Sequence, residues 1–168
     1  MTRFPRLQMR LSLEAHEVPS DVDHRTIDPS DAAALGALML AAYRGTVDDE
    51  GETLDDAVGE VEQVLEGSNG PFLFDASFVV EDEDAPIGAS LVAMWESRPL
   101  LSYLVVHPRA RRRGLGSFLI ARSGDALLAA GRPELDLFVT EANEPAVNLY
   151  RKLGFRVVDR VEGPAAGA

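Results

Sequence analysis

The chain has 168 residues, the size of one compact domain that can bury a core without metal ions or disulfides. It contains no cysteine, which excludes disulfide frameworks, thiolate metal sites and cysteine nucleophiles. The net charge of −12 disfavours nucleic acid as a partner, because binding to phosphates needs a basic surface.

The charge is divided unevenly along the chain. Residues 1–100 hold 6 arginines and no lysine against 21 acidic residues, whereas residues 101–168 hold 10 basic against 7 acidic residues. The first part suits a cationic ligand and the second an anionic one, although a solvated acidic surface would give the same balance. The longest apolar run, residues 32–43, is too short to cross a bilayer, and the first six residues lack a signal-peptide core. We therefore expect a soluble cytoplasmic protein with no membrane partner.

Hydrophobic periodicity, capping residues and turn residues divide the chain into strands and helices. Asp28 before Pro29, and Thr53 with Asp56 three residues later, are capping patterns that begin the first two helices. The predicted strands span residues 7–13, 76–81, 87–95, 100–106, 135–140 and 155–161. The predicted helices span residues 28–44, 53–66, 114–130 and 143–153.

The short connections between these elements indicate a single domain. Two turns are predicted, at residues 82–86 and 97–99, and the second helix should bury Leu54 on its apolar face. We expect one mixed α/β (α+β) domain over residues 1–162, in which about four helices cover a mostly antiparallel mixed sheet of six to seven strands. Residues 163–168 are expected to form a flexible tail.

The segment from Val106 to Ser117 combines the end of a strand, a basic loop and two glycines that open a helix. A helix start presents unpaired backbone N–H groups and the positive end of the helix dipole, which suits a phosphate. Gly114 and Gly116 lack a Cβ, so ligand oxygens can approach the backbone closely. The spacing is that of neither a P-loop nor a dinucleotide fingerprint. A glycine-containing helix start beside a solvated arginine run is the alternative interpretation.

Two motifs in the second part of the chain carry a family resemblance. The first is Val-x-Pro-x-x-Arg-x-x-Gly-x-Gly, from Val106 to Gly116, and the second is Asn-x-x-Ala-x-x-Leu-Tyr-x-x-x-Gly-Phe, from Asn143 to Phe155. In their residues and in their separation they resemble the GNAT (Gcn5-related) N-acetyltransferase family. The resemblance implies the GNAT fold and direct transfer of an acetyl group from acetyl-coenzyme A (acetyl-CoA) to a primary amine.

The resemblance also implies which residues form the site. The strand end at Leu104, Val105 and Val106 would pair with the pantetheine arm, after a bulge that splays this strand from the next. Asn143 would contact the cofactor arm, and Tyr150 would act as the general acid at the thioester sulfur; a helix N-cap and an amphipathic core residue are the respective alternatives. Main-chain amides would wrap the pyrophosphate at Arg111, Arg112, Arg113, Gly114, Leu115, Gly116 and Ser117.

The residues at the acceptor end are less clearly marked. Many family members carry a glutamate early in the strand before the pyrophosphate loop, but residues 100–103 contain no acid. Glu96 is the nearest candidate for the general base, with a solvent-facing turn residue as the alternative. Asp48, Asp49 and Glu50 lie in a loop that commonly borders the acceptor site in this family, and their charge favours a small cationic amine as acceptor.

Two functions therefore remain open. The first is an acetyl-CoA-dependent N-acetyltransferase, which the tyrosine of the second motif favours. The alternative is a GNAT-fold domain that binds acyl-CoA as a sensor or regulator without turnover, which the missing glutamates favour. His16, His24 and His107 show no metal-ligand spacing, so no metal is expected. The sequence leaves open whether the protein is a monomer or a homodimer.

Overall fold

A computed structural model describes residues 4–15 and 21–162. Within these ranges the chain forms seven strands and four helices, as the expected fold class requires. The strands are β1 (Pro5–Ser12), β2 (Arg25–Thr26), β3 (Phe78–Asp82), β4 (Ala85–Trp95), β5 (Arg98–Val106), β6 (Glu134–Thr140) and β7 (Arg156–Glu162). The helices are α1 (Ala32–Tyr43), α2 (Leu54–Leu65), α3 (Leu115–Ala129) and α4 (Glu144–Lys152). The expected tail at residues 163–168 and His16 lie outside the described residues.

The seven strands form one sheet in the order β2-β3-β4-β5-β6-β1-β7. All neighbouring strands are antiparallel except β5 and β6, which are parallel. Strand β1, from the beginning of the chain, lies between two strands from its end and pairs with both. The far half of the sheet is therefore held together by contacts between residues more than 100 positions apart.

The helices lie in two layers, one on each face of the sheet. Alternation along β4 shows this arrangement, because Leu91 and Ala93 pack in the apolar cluster of α1 and α2 while Val92 packs with residues of α3. The two clusters together provide cores on both faces of the central strands. No helix in the described ranges is both long and apolar enough to cross a membrane.

Helices α1 and α2 pack closely, and only α2 begins directly at the capping residue expected from the sequence. Asp28 instead caps the 3-10 turn Pro29–Asp31 that leads into α1, whose own N-cap, Asp31, makes no side-chain capping hydrogen bond. Asp28 and Thr53 each form a capping box. A Cβ placed on Gly36 of α1 would lie 2.6 Å from Val58 Cγ2 of α2, so this glycine allows the close approach. The expectation for Leu54 is wrong, since this side chain is 50% exposed. The buried face of α2 is rotated, and its buried residues are Ala57, Val61 and Val64.

The two hairpin turns are shorter than the sequence predicted. Each contains two residues with positive φ, as in a type I′ turn. They are Glu83 (φ 53°) with Asp84 (φ 64°), and Glu96 (φ 45°) with Ser97 (φ 70°). Pro86 and Pro99, expected in the turns, lie inside β4 and β5 instead, because a two-residue turn of this twist joins the strands without them.

Candidate functional site

The candidate site is a cleft that opens where β5 and β6 separate. These two strands pair at only two positions, and the last pair is Leu101 with Leu137. Immediately afterwards the register of β5 against β4 shifts at Ser102, which is a β-bulge. The part of β5 beyond this bulge pairs with β4 alone among the described strands, so its other backbone edge is open. The bulge and the splay implied by the resemblance are thus present.

The cleft has a volume of about 720 Å³. Its walls come from the end of β5, the start of α3, the first two turns of α4 and the loop between α1 and α2. The sequence-predicted residues that line it are Leu104, Val105, Val106, Arg111, Arg112, Gly114, Leu115, Gly116, Ser117, Asn143, Tyr150 and Asp48. Arg113 is exposed and does not line it.

The loop before α3 contributes left-handed backbone and unpaired amides to the cleft. Arg112 and Gly114 adopt left-handed conformations, with φ of 66° and 74°, a feature of backbone nests that bind anions. In the described part of the chain, the amides of residues 112–114 donate no backbone hydrogen bond. The Arg111 guanidinium donates to the carbonyl of Ala42 at 2.9 Å and so holds the end of α1 against this loop. The main-chain amides of residues 112–114 are therefore hydrogen-bond donors that are available to an anion.

Tyr150 lies on α4 and lines the same cleft. Its ring packs edge-on against Phe155, with centroids 5.6 Å apart, and the cleft passes beside it. Burial, with a smaller contribution from the charge of Asp48, raises the pKa of Tyr150 to about 12. The side chain is therefore a protonated phenol at neutral pH and is available as a proton donor.

Asp48 connects the two sides of the cleft. Thr140 Oγ1, at the end of β6, donates to Asp48 Oδ1 at 2.9 Å, and Asn143 Nδ2 donates to Asp48 Oδ2 at 3.2 Å. The loop between α1 and α2 is thereby tied to the connection between β6 and α4. Asn143 also accepts from the amide of Ala146 at 3.3 Å, so the N-cap interpretation of this residue is correct.

The other two acids that the sequence predicted at the acceptor end, Asp49 and Glu50, do not line the cleft. Asp49 accepts hydrogen bonds from the amides of Gly45 at 2.8 Å and Gly51 at 3.0 Å, which lower its pKa. Asp49 therefore shapes the loop itself. Glu50 is exposed. Of the three acids that the sequence placed at the acceptor end, the structure brings only Asp48 to the cleft.

Glu96 lies far from the cleft. It is exposed in the turn at one end of the β4–β5 hairpin, next to the pair Trp95–Arg98. Leu104, which lines the cleft, is six residues beyond Arg98 along β5, a distance of roughly 20 Å at the rise of a strand. The structure does not bring this candidate base to the site, because Glu96 lies in the turn, whereas the cleft is lined by the opposite end of β5.

Two titratable residues near the cleft were not indicated as functional residues by any sequence pattern. Tyr43, the last residue of α1, lines the cleft, and burial raises its pKa well above the usual value. In the sequence it simply ends an apolar helix. Glu60 of α2 is half-buried against Tyr103 of β5, and burial followed by the charge of Glu52 raises its pKa. An acid thus lies against the strand segment that contains none, but it comes from another element.

An α/β domain whose central parallel strands splay after a bulge, beside a glycine-containing helix start, has the architecture that the resemblance implied. The acetyltransferase (GNAT) domain family matches residues 74–157, half of the chain. The chain belongs to the GNAT acetyltransferase family. The match covers β3 to α4 with the first two residues of β7, and it includes the residues on three sides of the cleft.

Curated relatives from bacteria are similar over part of their length. An acetyltransferase of Pectobacterium atrosepticum is 35% identical over 83 residues, which are 49% of this chain and 59% of that protein. An acetyltransferase of Yersinia enterocolitica is 33% identical over 94 residues, or 56% of this chain and 64% of that protein. The matched region thus spans about 60% of the length of these relatives.

Solved structures share the fold at low sequence identity. A GCN5-related N-acetyltransferase from Sphaerobacter thermophilus has a TM-score of 0.70 at 19% identity and covers 94% of this chain and 50% of that one. The aminoglycoside N-acetyltransferase AAC(6')-Iy, in complex with a CoA-containing bisubstrate analogue, has a TM-score of 0.64 at 18% identity, covering 89% and 100%. The PaiA N-acetyltransferase of Thermoplasma acidophilum, in complex with coenzyme A, has a TM-score of 0.65 at 16% identity, covering 85% and 99%.

Proposed function

We propose that the protein is an acetyl-CoA-dependent N-acetyltransferase that transfers the acetyl group directly to the primary amine of a small cationic molecule. The observation that carries this proposal is one continuous cleft with free amides at one end and a phenol and a carboxylate at the other. The ligands of two structural neighbours, coenzyme A and a CoA-containing bisubstrate analogue, support the choice of cosubstrate. We also place the reaction in the cytoplasm, since a chain without cysteine suits a reducing compartment.

The chain fits acetyl-CoA at two places. The free amides of residues 112–114, with the first turn of α3, offer donors and a dipole for the pyrophosphate. The open edge of β5 at residues 104–106 offers backbone groups for the amides of the pantetheine arm, as an added strand would. The thioester supplies an acetyl group that is activated toward a neutral amine.

Tyr150 supplies the proton that the reaction needs at the sulfur. An amine must lose one proton before it attacks the thioester carbon, because a protonated nitrogen has no free electron pair. The ammonium loses this proton to water before the attack. As the carbon–sulfur bond breaks, the phenol donates its proton to the departing sulfur, and the proton released by the new amide nitrogen returns to the phenolate through water. The raised pKa of Tyr150 keeps the donor protonated throughout the neutral range.

The first test is release of free coenzyme A from acetyl-CoA by the purified chain, with 1,4-diaminobutane, neamine and lysine amide as acceptors. Turnover above the rate without protein, with one acetyl group added to an amine nitrogen by mass spectrometry, is the expected result. If the chain binds acetyl-CoA but releases no free coenzyme A with any acceptor, the acyl-CoA sensor is the correct function and the enzyme is not.

The second test is Gly116→Trp, which should place an indole in the cleft. A Cβ at Gly116 would meet the side chains of Leu149 and Leu104 at ordinary distances of 3.6 and 3.7 Å, so the backbone is not strained but the ring must occupy the cleft. We expect the Kd for coenzyme A, measured by calorimetry, to rise at least tenfold, or about 1.4 kcal/mol.

The matched control for this test is Gly59→Trp on α2. A Cβ there meets nothing within 4 Å, so the same bulk points into open space. This variant should bind coenzyme A like the parent. If the folded Gly116→Trp protein binds coenzyme A with the parent Kd, the start of α3 is not part of the binding site.

A further inference from the structure

We propose that Asp48, alone among the acids of the loop between α1 and α2, receives the ammonium group of the acceptor and holds it beside Tyr150. This inference rests on the proposed function and deepens it, since it names the group that selects the acceptor. The acceptor class that fits is a primary alkylammonium with its nitrogen at the end of a flexible arm.

Asp48 has two neutral hydrogen-bond donors and no ion-pair partner among the described residues. Among the lining residues it is the only carboxylate. Thr140 and Asn143 each donate one hydrogen bond to it, and no lysine or arginine of the described ranges forms an ion pair with it. By contrast, Asp49 has Arg44 at 3.7 Å. A partly buried carboxylate without a cation gains more from binding one than a carboxylate that is solvated or already paired.

The hydrogen-bonding capacity around Asp48 matches a primary ammonium. Each Asp48 oxygen has accepted one hydrogen bond and keeps a lone pair free. The side chains of Tyr43 and Tyr150 line the same cleft, and each phenol oxygen can accept a hydrogen bond. An ammonium group has three N–H donors, and one carboxylate and two phenol oxygens provide three acceptors.

The distribution of charge along the cleft fixes the direction of the acceptor. Arg111 and Arg112 belong to the loop with the free amides, whereas Asp48 lies close enough to Tyr150 for its charge to raise the pKa of that phenol. An ammonium is repelled by the two arginines and attracted by Asp48. The amine is therefore directed to the position where Tyr150 can protonate the leaving sulfur, and away from the position of the pyrophosphate.

Three variants separate this role from that of a simple structural link. Asp48→Asn removes the charge at nearly constant shape. Thr140→Val removes a hydrogen bond that holds Asp48 but leaves the charge in place. Glu62→Gln makes the same chemical change on an exposed residue of α2 and serves as the control for net charge.

The measurements are the KM for 1,4-diaminobutane, the Kd for coenzyme A, and the Kd of the amine for the protein saturated with unacetylated coenzyme A, a complex that cannot turn over. For Asp48→Asn we expect at least a tenfold rise in the KM and in the amine Kd, with the Kd for coenzyme A within threefold of the parent. Glu62→Gln should stay within threefold for all constants, and Thr140→Val should raise the KM and the amine Kd less than Asp48→Asn does. If Asp48→Asn does not fold, Asp48→Ser, which keeps an acceptor for Thr140, takes its place.

Two results would overturn the inference while leaving the proposed function intact. One is a folded Asp48 variant that acetylates the amine with the parent KM. The other is an equal loss in Thr140→Val and Asp48→Asn, because Asp48 would then act only by tying the loop to β6. Failure of the parent to acetylate any amine, with coenzyme A still bound, would instead overturn the proposed function and the inference with it.

Discussion

Two partly or fully buried aspartates in this protein differ in how much of their hydrogen-bonding capacity is already used. Asp136 is fully buried, and its oxygens accept from Arg10 at 2.7 and 3.0 Å and from Gln8 at 3.0 Å. Its charge is compensated inside the sheet, as a structural ion pair requires. Asp48 has two neutral donors and no cation, and it faces a cleft. The same residue type thus stabilises the fold at one position and remains free to bind at the other.

Substitution of Tyr150 is the most direct test of the proposed proton donor. Tyr150→Phe removes only the hydroxyl and keeps the ring against Phe155, so the fold should be retained. We expect kcat to fall by roughly 10², because the proton donor acts as the bond to sulfur breaks, and the Kd for coenzyme A to change by less than about threefold. Steady-state kinetics with the best amine and calorimetry with coenzyme A provide the two numbers. A kcat within twofold of the parent, where chemistry limits the rate, would mean that water protonates the sulfur.

At the scale of elements, the acceptor end depends on how α1 and α2 pack. Tyr43 ends α1, and Asp48 lies in the loop that joins the two helices, so both move with this pair. Arg111 anchors the end of α1 through the carbonyl of Ala42, which joins the proposed acceptor end to the loop with the free amides. The closest approach of the helices is at Gly36, against Val58.

Gly36→Ala should therefore be destabilising, although alanine is the better helix former. Its Cβ would lie 2.7 Å from the Val58 Cα, and backbone atoms cannot move aside without separating the helices. We expect a loss of about 1–3 kcal/mol in the free energy of unfolding, measured with urea. Gly59→Ala, in open space on α2, is the matched substitution and should be neutral or slightly stabilising. Equal effects of the two substitutions would contradict this account of the packing.

At the scale of the whole molecule, the protein has 3 tyrosines, and the pKa of each is raised. Burial is the largest cause of the raised pKa at Tyr43, Tyr103 and Tyr150. They come from α1, β5 and α4, so the acidic residues and the phenols converge only through the tertiary fold. Because burial of the three phenols raises their pKa values, the stability of the domain should depend on pH in the alkaline range.

We expect the free energy of unfolding to fall as the pH rises above about 10. A raised folded pKa means that the unfolded chain loses these protons first, so the stability present below pH 10 is lost as the pH approaches the folded values. Each tyrosine contributes about 1.4 kcal/mol per pH unit in this range, and three give up to about 4 kcal/mol per unit. Urea unfolding at several alkaline pH values, with tyrosinate absorbance at 295 nm, measures both effects; Tyr150→Phe should reduce the slope. Tyrosinate formation near pH 10 in the folded protein would contradict the burial of the phenols.

The amino-acid sequence by itself determined the features that depend on neighbours along the chain. The caps at Asp28 and Thr53, the helix start at Gly114 and the N-cap at Asn143 each use hydrogen bonds or conformations within a few residues. Together with the two motifs, they indicated the cofactor side of the cleft, since its residues lie close together in the sequence. Such local signals are visible without knowledge of the fold.

Only the tertiary structure decided which distant residues share the cleft. In the fold, β1 lies between β6 and β7, and Glu96 lies at the far end of a hairpin. Asp48 and Tyr43 line the cleft, whereas Asp49 does not. Adjacent residues of a loop have the same composition signal but point in different directions, and strand neighbours are set by contacts between residues over 100 positions apart. The packing of two helix layers on a splayed sheet determines these positions, and no pattern of charge or hydrophobicity along the chain records it.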